Sequence, residues 1–311
     1  MRTIAAGEIT AVVARLCREA NVTLGEDVLQ VLEAAREREE SPRGRDVLDK
    51  LLANARLAQE EGMPLCQDTG VAVVFLEVGQ DLHIAGDLEA AVHEGVRQGY
   101  SEGYLRKSVV RHPLDRVNTG DNTPAVIHYR IVPGDRLKIT VAPKGAGSEN
   151  MSALRMLKPA DGVEGVKRFV LDVVEKAGPN ACPPLVVGVG IGGTMEKAAL
   201  LAKEALLRPL GSHSDDPLVA ALEAELLEAI NRSGIGPLGL GGRVTALAVH
   251  VEVYPCHIAS LPVAVNLNCH AARHRSAVLP EGIWRLIGSA ADREGKNDVS
   301  EEKHKYLGEK T

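Results

Sequence analysis

Apolar residues recur every three to four positions through roughly residues 7–37 and again from Arg45 to Gln59, with charged side chains between them. That spacing lays one apolar stripe along a helix and predicts an all-helical first sixty residues. From residue 71 the period changes. Residues 71–78 (VAVVFLEV) form a short, β-branched apolar run, and residues 125–132 (AVIHYRIV) and 136–142 (RLKITVA) resemble it. Runs of this length and composition predict strands, with Pro133-Gly134-Asp135 as the turn joining the last two. Helical periodicity returns at about 87–99, 161–177, 195–206 and 216–231, and strand-like stretches occupy 185–190, 244–253 and 260–267. The sum is a mixed α/β fold: a helical N-terminal segment over 1–62, an α/β domain over 63–290 and a polar tail over 291–311. The tail is almost wholly charged and polar, so it cannot bury enough to order itself and is expected to be mobile or to dock on a partner. No internal repeat or low-complexity block interrupts this plan.

Composition narrows the partners. Of 311 residues, 36 are Lys or Arg and 42 are Asp or Glu, giving a net charge of -6 without a basic stripe or aromatic clusters. Such a surface does not track a phosphate backbone, and nucleic acid is not expected as a partner. No apolar run approaches the roughly 20 residues of a membrane helix. The first residues read as an amphipathic helix without a signal-peptide cleavage pattern, so a cytoplasmic location is expected and no membrane is. Five cysteines, Cys17, Cys66, Cys182, Cys256 and Cys269, are odd in number and widely spread, which argues against a disulfide framework. Reduced thiols are the better reading, either buried as small hydrophobes or used as metal ligands, and no CxxC pair decides between these.

Four segments gather polar residues, glycines and cysteines between apolar runs: MPLCQDTG (63–70), KGAGSENMS (144–152), NACPP (180–184) and CHIASLPVAVNLNCHAARH (256–274). Each falls where a strand meets a loop, the place where a rigid scaffold usually presents catalytic groups. Cys66 is followed by Gln67, an amide able to grip a carboxylate, and by Asp68, an acid able to move a proton. A plain Asp-Thr-Gly turn explains the same residues. Cys182 precedes two prolines that stiffen the chain and remove two amide donors, and a buried helix-to-strand corner would look alike. Cys269 has His270 and His274 nearby and His257 twelve residues back, so a zinc site is one alternative. Gly188, Gly190 and Gly193 fit GxGxxG between a strand and a helix, the mark of a nucleotide-binding dehydrogenase. The second strand and ribose-binding acid of that motif are missing about 20 residues on, where LRPLGSHSDDPL and another helix stand instead. A glycine-rich turn facing an anion, or a close helix–strand contact, is more economical.

Taken in order, PLCQDTG, YLRKSVV, NTGDNTPAV, KGAGSENMS, ACPP, GVGIGGT, GIGPLGLGG and CHIASLPVAVNLNCH resemble the alpha half of the class I, iron-sulfur-dependent fumarate hydratases, over residues from about 10 to about 280. The resemblance implies that Cys66, Cys182 and Cys269 hold a 4Fe-4S cluster, and that Cys17 and Cys256 do not. Three thiolates would leave one iron without a protein ligand, free to act as a Lewis acid on the substrate hydroxyl. By the same resemblance, Gln67 and Arg106 hold a substrate carboxylate, Asp68 and His257 serve catalysis, and the backbone around Gly145 to Gly147 offers amides, with Lys144 and Ser148 as further substrate contacts. For Arg106 and Lys107 the alternative is a solvated helix end. The resemblance also implies a separate beta subunit completing the site, in an alpha2-beta2 complex that hydrates fumarate to (S)-malate reversibly. The KGAGSENMS and LRKSVV segments look like the fumarate branch, and the alpha subunit of tartrate dehydratase is the alternative.

Overall fold

The computed structural model describes residues 2–280, so the polar tail over 291–311 lies outside the described residues. In chain order the elements are β1 (Arg2–Ala5), α1 (Ala6–Val22), α2 (Glu26–Arg38), α3 (Pro42–Glu61), β2 (Val71–Gly79), β3 (Leu82–Ala85), α4 (Leu88–Glu102), β4 (Val126–Val132) and β5 (Leu137–Lys144). They continue with α5 (Ala146–Glu149), β6 (Ala153–Leu157), α6 (Gly162–Ala177), β7 (Leu185–Gly192), α7 (Met195–Ala205), α8 (Pro217–Asn231), β8 (Ala246–Tyr254), β9 (Leu261–Asn268) and β10 (Arg275–Leu279). The fold is mixed α/β, as the hydrophobic pattern predicts. The first sixty residues are not all helical, because β1 pairs in parallel with β3. Four residues are too short for a period to register, and the strand exists only through that long-range pairing.

Helix ends follow from local chemistry. Ser41 accepts the amide of Gly44 at 3.2 Å with Pro42 beginning α3, and Gly62 closes that helix in the left-handed region at φ 65. Asp87 caps α4 through Ala90 and Asp216 caps α8 through Leu218, both at 2.9 Å.

One sheet runs β10-β5-β2-β4 and the other β6-β9-β7-β8. The 133–136 turn does join β4 to β5, but the two strands are not neighbours: β2 lies between them, parallel to β4 and antiparallel to β5. The turn wraps the end of β2, with Gly79, Gln80 and Asp81 donating to the carbonyls of Arg136, Val132 and Gly134 at 2.8–2.9 Å. Alternate residues of β2 and β5 (Ala72, Val74, Leu76; Leu137, Ile139, Val141) meet α1 and α4 in the first core. In the second sheet Val187 and Val189 of β7 and Val263, Val265 and Leu267 of β9 face α6 and α8. The opposite face takes α7, whose Ala198 and Ala202 pack against Ala264. This period-2 sorting of side chains between two helical layers is what the strand pattern encodes.

Gly188 and Gly190 lie on the α7 face, where a β-carbon would stand 2.1 Å from the carbonyls of Ala202 and Ala198 respectively. The GxGxxG segment is therefore a close helix–strand contact. A third core, under α2 and α3, includes Leu65, Val186 and Ala272. The chain leaves the first sheet through residues 145–152 and returns through 269–274, so β6 to β9 form an insertion between β5 and β10. Among the described residues no helix is long and apolar enough to cross a membrane.

Candidate functional site

Register brings the chemistry-bearing loops together. Val71 at the start of β2 pairs with Lys144 at the end of β5, and Val186 near the start of β7 pairs with Asn268 at the end of β9. Residues 66–70, 144–149, 179–182 and 269–273 thus emerge at one end of both sheets. Cross-links fix them there. The carboxylate of Asp68 accepts the amide of Ala146 at 2.8 Å and that of Gly70 at 3.0 Å. The amide of His270 donates to the carbonyl of Cys182 at 3.4 Å, and Arg273 donates through Nη2 to the carbonyl of Asp68.

Two of the cysteines implied as ligands, Cys182 and Cys269, lie within electrostatic reach of the third, Cys66. Burial pushes the Cys182 thiol up, and the charges of Cys269 and Cys66 add to that. Burial also raises Cys269, opposed by Arg273 and by Lys144, with Cys66 again on the raising side. Cys182 is exposed and holds a left-handed backbone at φ 54, a strained conformation for a side-chain-bearing residue. The amide of Asp68 lies 3.4 Å from the Cys66 sulfur. Cys17, by contrast, is sealed in the first core with its thiol pushed to about 12, and Cys256 donates to the carbonyl of Ser260 at 3.3 Å on an exposed loop.

Among the described residues no group of three or more His, Cys, Asp or Glu is gathered as a single metal ion requires. A single zinc ion needs all its donors at about 2.0–2.3 Å, an arrangement that Cys269 and its neighbouring histidines do not form here. A polynuclear iron-sulfur group spreads its thiolates over several irons and suits three separated cysteines. The donor set fits such a group: three soft sulfurs, a nearby buried cation in Arg273, and Nε and Nη1 of that arginine buried without a partner.

Behind the thiols lies a polar network of which sequence reasoning named only Lys144 and Ser148. Lys144 is buried, and its ammonium donates to Ser148 Oγ at 2.9 Å and to the Leu267 carbonyl at 2.7 Å and pairs with Glu149 at 3.3 Å. Its three donors are spent, so as it stands Lys144 braces the site from within. Burial lowers its pKa, with Glu149 opposing. Glu149 also pairs with Lys203 and accepts Asn266 Nδ2, both at 2.7 Å. Burial would raise that carboxyl, but Lys144 and Lys203 outweigh it and hold it at about 2. Glu149 stands inside KGAGSENMS and Arg273 four residues after Cys269, so both were open to notice. Lys203 sits on an ordinary amphipathic helix that gave no signal.

The other implied residues are distributed unevenly. Gln67 is exposed beside Cys66, and Gly147 faces Asn180, whose carbonyl would lie 3.5 Å from an added β-carbon. Gly145 packs against Asp68 in the same way at 3.1 Å. Arg106 is exposed, and its carbonyl accepts Thr69 Oγ1 at 2.9 Å, which ties the 106–108 loop to the Asp68 turn. Tyr100 and Asn122 brace that turn from beneath through the carbonyl of Gly70. His257 is not brought to the thiols. It sits past β8, with its Nδ1 accepting the amide of Ala259 at 3.1 Å, and β9 separates it from Cys269 by about 25 Å of extended chain.

Comparison with known proteins gives the family of the chain. The fumarate hydratase (Fumerase) family profile matches residues 10–278. A putative L(+)-tartrate dehydratase subunit alpha of Methanocaldococcus jannaschii is 47% identical over 273 residues, covering 86% of this chain and 95% of that protein. The L(+)-tartrate dehydratase subunit alpha of Escherichia coli strain K12 is 34% identical over 273 residues, covering 86% of this chain and 90% of its own length. With the family profile spanning all four convergent loops and both sheets, the chain belongs to the fumarate hydratase (Fumerase) family and is a hydro-lyase.

Proposed function

We propose that this chain is the cluster-bearing alpha subunit of a two-subunit hydro-lyase acting on a four-carbon dicarboxylate, with reversible hydration of fumarate to (S)-malate as the first reading. The observation that carries it is the convergence of Cys66, Cys182 and Cys269 on one end of both sheets beside Asp68. Cys66, Cys182 and Cys269 would hold a 4Fe-4S cluster, which supplies, when bound, a Lewis acid for the substrate hydroxyl.

The chain's own residues do the rest. Gln67 and Arg106 flank the Asp68 turn, both exposed, and would grip a substrate carboxylate, Arg106 with a planar fork. Asp68 would move a proton at the reacting hydroxyl, and Gly145 and Gly147 allow backbone approach to the substrate. Lys144 and Ser148 support that backbone from inside. The relatives are named as alpha subunits, which supports a separate beta subunit, and an alpha2-beta2 complex in the cytoplasm is the assembly we infer. Their names also favour a second reading, dehydration of L(+)-tartrate.

The test is anaerobic expression with iron and sulfide, followed by iron content, visible absorption, and side-by-side turnover of malate and L(+)-tartrate with and without a candidate beta chain. A brown protein active on malate only with its partner is the expected result. Preference for tartrate moves the substrate to the second reading. A colourless, iron-free protein overturns the cluster assignment.

A further inference from the structure

The Arg273 guanidinium is 5% exposed and inside the protein, yet only Nη2 has an acceptor, the carbonyl of Asp68. Nε and Nη1 are buried without a hydrogen-bond partner. Leaving a buried donor unpaired is costly, most of all for a charged group, so such an arginine calls for an acceptor that the described residues do not provide. Among the described residues no carboxylate pairs with it. Arg273 stands four residues after Cys269, and its bond to the Asp68 carbonyl anchors it to the turn that also carries Cys66. A small cavity of about 20 Å³, lined by Lys144, Asn268, Arg273 and His274 among others, offers the competing occupant, a single water.

Resting on the cluster reading above, we propose that Arg273 is a positioning residue for the metal centre: its free Nε and Nη1 donate hydrogen bonds to an inorganic sulfide of the cluster, while Nη2 holds the Asp68 main chain. One planar cation then sets the electronics of the centre and the place of the Asp68 turn together. Donors to sulfur withdraw charge, which raises the reduction potential of an iron-sulfur group and protects it from oxidative loss of iron. A lysine would keep the charge without the rigid fork that serves two directions at once.

The experiment compares wild type, R273K and R273Q, each loaded anaerobically in the full chain. The readouts are iron and sulfide content, the midpoint potential from a redox titration followed by electron paramagnetic resonance, and the rate of iron release to a chelator on admitting air. Circular dichroism and thermal unfolding of the unloaded proteins report folding. R273Q is expected to bind the cluster at a more negative potential and to release iron about tenfold faster, with R273K between it and wild type. If R273Q does not fold, R273K carries the comparison. Unchanged potential and release in the folded variants overturn the proposal and leave the cavity water as the partner of the free donors. Failure of wild type to take up iron overturns the cluster reading itself, and this inference with it.

Discussion

The carboxylate of Asp68 and the main-chain amide of Ala146 lie 2.8 Å apart, joining turns that are 78 residues distant in sequence. A second oxygen of the same carboxylate takes the Gly70 amide at 3.0 Å. Asp68 therefore holds in place the glycine-flanked backbone beside it, and one amide of that backbone is already engaged by the acid. Substrate has to meet a turn whose geometry and acid are set as one unit.

Asp68→Ala removes both the group proposed to move a proton and the tie to Ala146. Turnover of the reconstituted pair is expected to fall about 10²–10⁴-fold, and stability by about 1 kcal/mol for the lost hydrogen bonds. Steady-state kinetics and denaturant titration check the two effects separately, and wild-type turnover in the variant would remove Asp68 from the site.

Serine at Cys66, Cys182 or Cys269 is expected to reduce bound iron to a small fraction of wild type, whereas Cys256→Ser leaves it unchanged because Cys256 lies on a distant exposed loop. Iron and sulfide analysis after anaerobic loading decides this. Equal iron in all four variants would return the three thiols to a packing role.

Glu149→Gln leaves the buried Lys144 ammonium without its counter-charge. Breaking a buried pair costs about 3–5 kcal/mol, reduced here to about 2 because the carboxylate is partly open to water. Equilibrium unfolding of the unloaded chain measures it, and Lys144→Met in the same background should recover part of the loss, since no unpaired cation is then left inside.

His250 titrates against folding. Burial, reinforced by the charge of Arg208, holds its pKa down at about 4, against about 6.5 in an unfolded chain. The unfolded state therefore gains a proton first as pH falls. The stability owed to neutral His250 is complete above about pH 6.5 and is lost progressively down to about pH 4, some 3 kcal/mol at most. Stability measured across that window should slope less steeply in His250→Gln than in wild type, and parallel slopes would contradict the assignment.

Gly190→Ala pushes a β-carbon to 2.1 Å from the Ala198 carbonyl and 2.6 Å from the Ala202 amide. Main chain cannot swing aside as a side chain can, so a loss of about 1–3 kcal/mol or more is expected, read as a lower thermal midpoint. An unchanged midpoint would mean that α7 shifts freely on its sheet.

The elements legible in the sequence are those whose own period reports them. α4, α6, α7 and α8, and strands β2, β5, β7, β8 and β9, all lie close to the predicted ranges, since the helices carry a periodic apolar stripe and the strands short apolar, β-branched runs. β1, β3, β6 and β10 were invisible: they are four or five residues long and depend on partners far along the chain. β4 and the turn that leads from it to β5 are both legible, but that β2 lies between the two strands is not, because pairing order depends on residues far along the chain. At the site, the cysteines and Asp68 stood out through motifs, but Lys203 and Asn266 join it only through tertiary packing. His257 shows the converse. Twelve residues from Cys269 in sequence, it is carried off by the full length of an extended strand.

The insertion of β6 to β9 between β5 and β10 has a mechanical side. Both joints of the inserted unit, residues 145–152 and 269–274, occur at the end where the thiols and Asp68 gather. The two crossings run side by side, so the loops that carry the thiols and Asp68 are tied at both ends to sheet main chain as well as cross-linked by hydrogen bonds, and a shift of one loop has to drag a strand with it.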